Sequence, residues 1–389
     1  MKKLISILGS TGSIGLTSLK IIDKKKKYFK PFIFSANKNY KLICKQIVKY
    51  KPNYYLINDE TTFKKIKKRF KKNKVKIIKS YDEIRTKTNS SITISAIPGL
   101  NGLLPILKLI KHSEKILIAN KEAIVCGWNL IKKQALKSKT KLIPMDSEHY
   151  SILKTIENCK VSEIRKIYIT SSGGPFLKYK LHQFKKIKPS DALKHPKWKM
   201  GKKITVDSST LVNKILELIE AQKLFNISEK KLDVIIHPDS LVHAVVIFNN
   251  GITKMVYHPT TMIVPIANAI FDGKLNIDEF YKKKIKKEKD IENLFFQKVD
   301  SKKFPVINLK HKVNEHPSSS IIFNAANEVL VDQFLKKKIP YGAIIKGLSH
   351  ILRDRNYKKY AIRKAETLNQ ITAIDYWARK TIISKIANV

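Results

Sequence analysis

Asp146 and Glu148, two residues apart in PMDSEHY, offer oxygen ligands of the kind Mg²⁺ and Mn²⁺ prefer. On an extended backbone after a strand at 140–143, residues two apart face the same way, so the two carboxylates would converge with Ser147 beside them. A DxE triplet is also a common loop sequence. A second cluster, VDSSTLVNKILELIEA at 206–221, puts Asn213 four residues and Lys214 three residues before Glu217, on one side of a helix. Glu217 would supply a third carboxylate. Ser208, Asn213 and Lys214 would offer phosphate donors near a helix start capped by Ser208 or Ser209. The plain alternative is a Lys–Glu pair on a solvated amphipathic helix. In ITSSGGPF, 169–176, Ser171 and Ser172 precede two glycines, a composition suited to an anion nest or, equally, to a simple tight turn. In LKHPKWKMG, 193–201, His195, Trp198 and Met200 sit within a long polar connector, Lys178 to Lys202. Long connectors bearing large side chains often serve as lids that exclude water on closing.

The chain opens with an apolar run, Leu4 to Leu8, breaking into GSTGSIG at 9–15. A strand, close glycines and then a helix form a phosphate-binding turn in parallel sheets. Gly9 would allow the turn, Gly12 the approach of a pyrophosphate and Gly15 close helix–sheet packing. The spacing is GxxGxxG rather than GxGxxG, and such a turn can also be purely structural. An NAD site places an acidic residue about twenty positions further on. Here Pro31 to Lys51 contains no Asp or Glu and offers Ser35, Asn37, Lys38 and Asn39. That favours a 2′-phosphate, hence NADPH over NADH, unless Lys38 is one more surface lysine.

These groups must be positioned by elements. Apolar runs at 4–8, 31–35, 54–57, 75–78, 91–95, 115–119 and 140–143 alternate with helix-like stretches, as in an open parallel sheet with helices on both faces. Ligands of such sheets bind beyond the strands' carboxyl ends, where AIPGLNGL (96–103) and ANKEA (119–123) fall. Further on, strand-like runs at 166–170, 203–206, 233–236, 243–248 and 252–257 mix with helices near 209–224 and 261–272. Residues 276–303 read as a Lys-rich linker, and 319–337, 341–351 and 363–386 as helices. The expected domains are 1–150, cofactor-binding; 151–275, catalytic; 276–309, linker; and 310–389, helical.

The length of 389 residues supports two or three domains. Lys plus Arg number 78 against 31 Asp plus Glu, a net charge of +47, which attracts polyanions at low salt. The basic residues are nearly all lysine and spread throughout, and no zinc-finger, basic-zipper or RNA-binding motif accompanies them. Solvated faces in a Lys-rich vocabulary explain them better than specific nucleic-acid binding. No run suits a bilayer span, and the 3 cysteines lack zinc-like spacing. A cytoplasmic protein without membrane attachment is expected.

Taken in order, GSTGSIG, ANKEA, PMDSEH, SGGPF, ALKHPKWKMGKKITVDSSTLVNK, HPDSLVHAVV and NAANE (324–328) resemble the 1-deoxy-D-xylulose 5-phosphate reductoisomerase family. The resemblance covers all three expected domains; residues 192–222 are its most specific part. It implies an α/β protein with an N-terminal Rossmann-like NADP-binding domain, a central α/β catalytic domain with a lid loop, and a C-terminal helical domain. It implies NADPH on Gly9, Thr11, Gly12, Ser13, Ile14, Ala36, Asn37, Lys38, Asn39, Asn120, Lys121, Glu122 and Gly201. It implies a divalent metal on Asp146, Glu148 and Glu217. Substrate would meet Ser147, Glu148, Ser172, His195, Trp198, Met200, Ser208, Asn213, Lys214 and Glu217, with Lys121, Glu148 and His195 catalytic. A homodimer is implied too. Departures from the family pattern are Asn37, Pro98, Asn101, Asp239, and Thr261 with Ile263 where an Asp and an Arg are usual. The alternative is another NADP-dependent oxidoreductase acting on a small sugar phosphate.

Overall fold

The structure is a computed structural model, describing residues 2–85, 88–198, 200–280 and 293–386. The chain forms two compact units. The first takes in Met1–Ala123, Asn129–Tyr150 and Met262–Lys287; the second takes in Ile124–Trp128, Ser151–Thr261 and Glu288–Val389.

The first unit is built on seven parallel strands: β1 Lys3–Leu8, β2 Phe29–Ala36, β3 Tyr54–Ile57, β4 Lys76–Ile78, β5 Ile92–Ser95, β6 Lys115–Ile118 and β7 Lys141–Pro144. Their order is β4-β3-β2-β1-β5-β6-β7. Every strand read from the sequence in this region is present, with ends shifted by a residue or two. Helices on both faces leave the strands no wet side, which is why they read as Ile-rich runs; Ile5, Ile7, Leu8, Ile33 and Phe34 are fully buried. The strand order reverses between β1 and β5, and Leu8 at the end of β1 lies level with Ser35 of β2 and Ser95 of β5. A crevice at such a reversal is where open α/β sheets take their ligands. The segment after Met262 returns to this unit: its helix Ile263–Phe271 packs on the first helix, Ser13–Lys24, and Phe271 lies edge-on to Phe29.

The second unit carries a mixed sheet of β8 Ile164–Ser171, β9 Leu232–Ile236, β10 Val242–Phe248, β11 Thr253–Tyr257 and β12 Gln297–Lys298, ordered β11-β10-β8-β9-β12. Only β8 and β9 run parallel. Helices Ser319–Leu335, Gly342–Ile351 and Leu368–Ile386 pack against one another as the C-terminal helical part. Two expectations are corrected. Residues 203–206 are not a strand but lie in helix Lys202–Ser209. The β-branched run Ile204-Thr205-Val206 favours a strand locally, but Thr205 to Ser209 are all buried and tertiary packing prevails. The span 276–303 is not wholly linker: Gln297 and Lys298 pair with Ile236 and Ile235 as an edge strand. Its residues 281–292 lie outside the described ones.

Candidate active site

Gly9 and Gly15 behave as their spacing predicts. Gly9 has φ +82°, and a Cβ there would lie 2.7 Å from the Ala96 carbonyl oxygen, so the turn after β1 sits against the turn after β5. A Cβ on Gly15 would lie 2.4 Å from the Gly9 oxygen, so only glycine lets the helix close down on the turn. Gly12 is the N-cap of helix Ser13–Lys24, and no side chain caps it. The helix start, with Thr11, Ser13 and Ile14 around it, therefore keeps backbone donors for an anion. At the end of β2, Ala36 is buried while Asn37, Lys38 and Asn39 are exposed, and Asn39 caps helix Tyr40–Tyr50 by accepting from the Leu42 N–H at 3.2 Å.

Beyond β6, Asn120 ties two loops together. Its side-chain oxygen accepts from Ala123 N–H at 3.0 Å, capping helix Lys121–Ser138, while its amide donates to the Ile97 and Gly99 carbonyls. Gly102 is needed beneath it, since a Cβ there would fall 1.9 Å from the Asn120 amide nitrogen. Lys121, the first helical residue, is buried and its Nζ lies 2.7 Å from Asp146 Oδ2. Glu122, also buried, stands in the same first turn.

Asp146 and Glu148 do have ligand oxygens within 4.8 Å of each other, but not by strand alternation. β7 ends at Pro144 and helix Ser147–Thr155 begins at once. Asp146 Oδ1 accepts from Ser147 N–H at 3.0 Å, and Ser147 Oγ donates to Glu148 Oε2 at 2.6 Å. Both carboxylates thus stand at a helix N-terminus, whose exposed N–H groups favour negative charge.

In the second unit, helix Val212–Phe225 is buried from Val212 through Ala221, so the solvated-helix alternative fails. Glu217, 1 % exposed, accepts from Asn213 Nδ2 at 2.5 Å and from Lys214 Nζ at 2.8 Å. Burying a carboxylate so deeply requires this pairing; losing the lysine would cost on the order of 3–5 kcal/mol. Neither Ser208 nor Ser209 caps this helix. Both belong to the preceding helix, and the cap is Leu211 in the left-handed region at φ +60°.

Ser208 instead faces His195. The imidazole Nε2 lies 3.1 Å from Ser208 Oγ and 3.2 Å from Ser172 Oγ, while Nδ1 accepts from the backbone N–H of Trp198 at 2.9 Å and of Lys197 at 3.2 Å. With Nδ1 already accepting, the proton belongs on Nε2. Burial, and then the positive charge of Lys214, push the His195 pKa down to about 4. Gly173 and Gly174, at φ +80° and +64°, turn the chain so that their N–H groups meet the Ser171 and Ser172 hydroxyls at 3.2 and 3.1 Å. Ser172, His195 and Ser208 therefore form one hydrogen-bonded cluster, with Lys214 close enough to act on the histidine. Trp198 and Met200 are half-buried and Gly201 exposed; the Trp198 ring stands edge-on to His243, 6.1 Å between centroids. Asp239, one of the departures, receives Lys197 Nζ at 3.1 Å.

Two supports were missed. Asp207, 1 % exposed, accepts from Asn327 Nδ2 at 2.8 Å and pairs with Lys203 at 3.0 Å, fixing the helix that presents Ser208. The signal was present: Asn324 and Asn327 interrupt an otherwise apolar helical run and had to find buried partners. Lys223, half-buried, donates to the Val125 carbonyl and to Ser320 Oγ, and desolvation of its ammonium pushes its pKa down to about 8.

The first unit carries a parallel sheet with an uncapped glycine turn and a pair of carboxylates, and the second a cluster of hydroxyl and imidazole donors, the equipment of an enzyme that handles nucleotides and other anions. Three family models match the chain: 1-deoxy-D-xylulose 5-phosphate reductoisomerase over residues 5–127, its C-terminal domain over 142–225, and a DXP reductoisomerase C-terminal domain over 258–381. The 1-deoxy-D-xylulose 5-phosphate reductoisomerase of Pelagibacter ubique is 43 % identical over 386 residues, 98 % of each chain. That of Clostridium novyi is 40 % identical over 351 residues, covering 88 % of this chain and 90 % of its own. Among solved structures, the Zymomonas mobilis reductoisomerase in complex with NADPH superposes with a TM-score of 0.89 at 27 % identity, covering 100 % of both chains. A DOX-P reductoisomerase in complex with NADPH, fosmidomycin and magnesium gives 0.89 at 27 %, covering 99 % and 98 %. The chain belongs to the 1-deoxy-D-xylulose 5-phosphate reductoisomerase family.

Proposed function

We propose that this chain converts 1-deoxy-D-xylulose 5-phosphate into 2-C-methyl-D-erythritol 4-phosphate, by rearrangement and NADPH-dependent reduction with a divalent metal, in non-mevalonate isoprenoid biosynthesis. The observation that carries the site assignment is the buried Asn213–Lys214–Glu217 group on one helix, directly after the helix that presents Ser208 to His195. An ordinary dehydrogenase has no use for this combination.

Asp146, Glu148 and Glu217 would hold Mg²⁺ or Mn²⁺. The residues fit a cation: all are oxygen donors, and Lys121 and Lys214 already balance Asp146 and Glu217. When bound, the cation polarises the substrate ketone and NADPH provides the hydride. The other roles fall to the chain. Gly9, Thr11, Gly12, Ser13 and Ile14 would receive the diphosphate, and Asn37, Lys38 and Asn39 with Ala36 the phosphorylated adenosine end. Ser172, Ser208, Asn213 and Lys214 would grip the substrate phosphate, with His195 donating from Nε2–H. Remote grip of this kind orients a small flexible substrate. Ser147 would bond the substrate's backbone oxygens, and Lys121 would support charge or proton movement beside the carboxylates. Trp198 and Met200 would cover substrate and nicotinamide, and Asn120, Glu122 and Gly201 would border the cofactor. The family resemblance supports a homodimer, and so sparse a set of cysteines, 3 in 389 residues, suits a reducing cytoplasm. Among the described residues no helix is long and apolar enough to cross a membrane.

Glu217→Gln tests the assignment. It preserves size while removing the carboxylate charge, so turnover should fall by at least about 100-fold, with NADPH affinity within about two-fold of wild type, since the interaction lost is one the reaction centre uses. Near-normal turnover would remove Glu217 from the metal site.

A further inference from the structure

Ser10, inside the glycine turn, is completely buried and bonded from below. Its Oγ donates to Gln46 Oε1 at 2.7 Å and lies 3.0 Å from the Tyr55 hydroxyl. Gln46 Nε2 returns a bond to the Ser10 carbonyl at 2.9 Å, and Tyr55 OH donates to Gln46 Oε1 at 2.6 Å. The Ser10 and Gly9 N–H groups both donate to the Ser35 carbonyl, at 2.8 and 3.1 Å. Gln46 is 3 % exposed and Tyr55 fully buried. The Tyr55 ring packs in the core edge-on to Phe34, but the polar ends of Ser10, Gln46 and Tyr55 are buried too and are satisfied by one another.

The placement of the network gives it a role. Gln46 lies on helix Tyr40–Tyr50, which starts at the Asn39 cap and so carries the loop Asn37–Asn39 at its head. Ser10 lies against Gly15, where a Cβ would come within 2.7 Å of the Ser10 Cα, so the start of helix Ser13–Lys24 rests on it. One glutamine therefore joins the element that presents Lys38 to the turn that presents Gly12. A dinucleotide phosphate has a fixed span between its diphosphate and its 2′-phosphate, and the two receiving elements must keep matching separation.

We infer that Gln46 and Tyr55 are positioning residues for the dinucleotide, holding the diphosphate turn and the 2′-phosphate loop at the spacing that NADPH requires. The inference rests on the NADPH site proposed above. Neither residue was singled out by the glycine spacing or by the family resemblance; their signal is a buried Gln and Tyr beneath a phosphate turn.

The test measures NADPH dissociation constants by quenching of protein fluorescence, steady-state constants and melting temperature for Gln46→Leu, Tyr55→Phe, Ser10→Ala and the double variant Ser10→Ala/Gln46→Leu. Gln46→Leu should weaken NADPH about ten-fold and raise its KM in parallel, leaving kcat at saturating NADPH and the sugar-phosphate KM within about two-fold. Tyr55→Phe, which keeps the ring in the core and both Gln46–Ser10 bonds, should weaken NADPH about two- to three-fold. The double variant should be no weaker than Gln46→Leu alone, because both residues act through the same bond. A melting-temperature drop with unchanged NADPH affinity in Tyr55→Phe and Gln46→Leu would overturn the inference, leaving the network merely structural. Should Gln46→Leu fail to fold, Tyr55→Phe and Ser10→Ala decide on the same readouts. Gly12→Val, whose Cβ meets only the Gly9 oxygen at 3.4 Å and whose methyls would enter the ligand's space, is the control. If Gly12→Val also leaves NADPH binding intact, the cofactor site itself is wrong; if it abolishes binding while the network variants do not, only the positioning role falls.

Discussion

His195 is held neutral by geometry. Two backbone N–H groups point at Nδ1, so a second ring proton has no place to go, and burial with Lys214 beyond it adds to the penalty. In the proposed site His195 would then meet a phosphate as a hydrogen-bond donor rather than as a cation. Phosphate-analogue affinity should show no histidine-like transition between pH 6 and 8, and NMR titration of the ring should give a midpoint near 4 with the Nε2–H tautomer. The sign for stability follows. The unfolded histidine protonates near 6.5 and the folded one near 4, so this contribution is complete above 6.5 and is lost as pH falls toward 4. A ring midpoint near 6.5 in the free protein would contradict the arrangement. At the proposed adenosine end, after β2, exposed Lys38 stands where an NAD site would have an acid. Lys38→Glu should cut the NADPH-over-NADH preference by at least about ten-fold, mainly through affinity, since a repelled 2′-phosphate replaces an attracted one. Equal efficiencies with both cofactors in the wild type would show that this loop does not discriminate.

At the scale of elements, the connector Lys178–Lys202 divides into two parts. Its first part is anchored: Phe184 lies edge-on to Phe176 and Phe304 at 6.1 and 6.5 Å, and Ile187 and Ala192 are buried. Its second part carries, among the described residues, the two serine contacts of His195, the edge of Trp198 against His243 and the exposed Lys197–Asp239 pair. An exposed pair of that kind contributes roughly 0–1 kcal/mol. Limited proteolysis should therefore cut within 194–201 in the free protein and slow at least about five-fold when NADPH and a phosphate-bearing substrate analogue are present. Trp198→Ala should reduce turnover while shifting the melting temperature by less than about 2 °C. Equal protection in both states, with a large loss of thermal stability, would make Trp198 a fixed anchor. Legibility in the sequence followed the same division between local and tertiary causes. Parallel strands buried on both faces announce themselves as apolar runs, and Gly9, Gly12 and Gly15 directly after the first of them mark the tight strand-to-helix turn. The carboxylates of Asp146 and Glu148 were legible as a pair, but not the helix that brings them together. Helix Lys202–Ser209 was misread because Ile204, Thr205 and Val206 carry strand propensity, whereas Asp207 reaching Asn327 across 120 residues decides the outcome. The Leu211 cap at φ +60° has no sequence signature at all.

For the whole molecule, the +47 charge and the reaction centre are separate matters. The lysines of the proposed site, Lys121 and Lys214, are buried and paired with carboxylates. Most others belong to the exposed surface, whose long-range attraction is screened over about 8 Å at physiological salt. Family membership along nearly the full length, the uncapped cofactor turn and the buried Glu217 group converge on one activity. The direct measurement is reduced-nicotinamide absorbance with purified protein, NADPH, Mg²⁺ or Mn²⁺, and 1-deoxy-D-xylulose 5-phosphate. Absorbance should fall only when all are present, with NADP⁺ and 2-C-methyl-D-erythritol 4-phosphate formed in equal amounts, and should hold steady when the sugar phosphate is omitted or the cation is chelated. No NADPH consumption in the complete mixture, or the same rate without cation, would contradict the account.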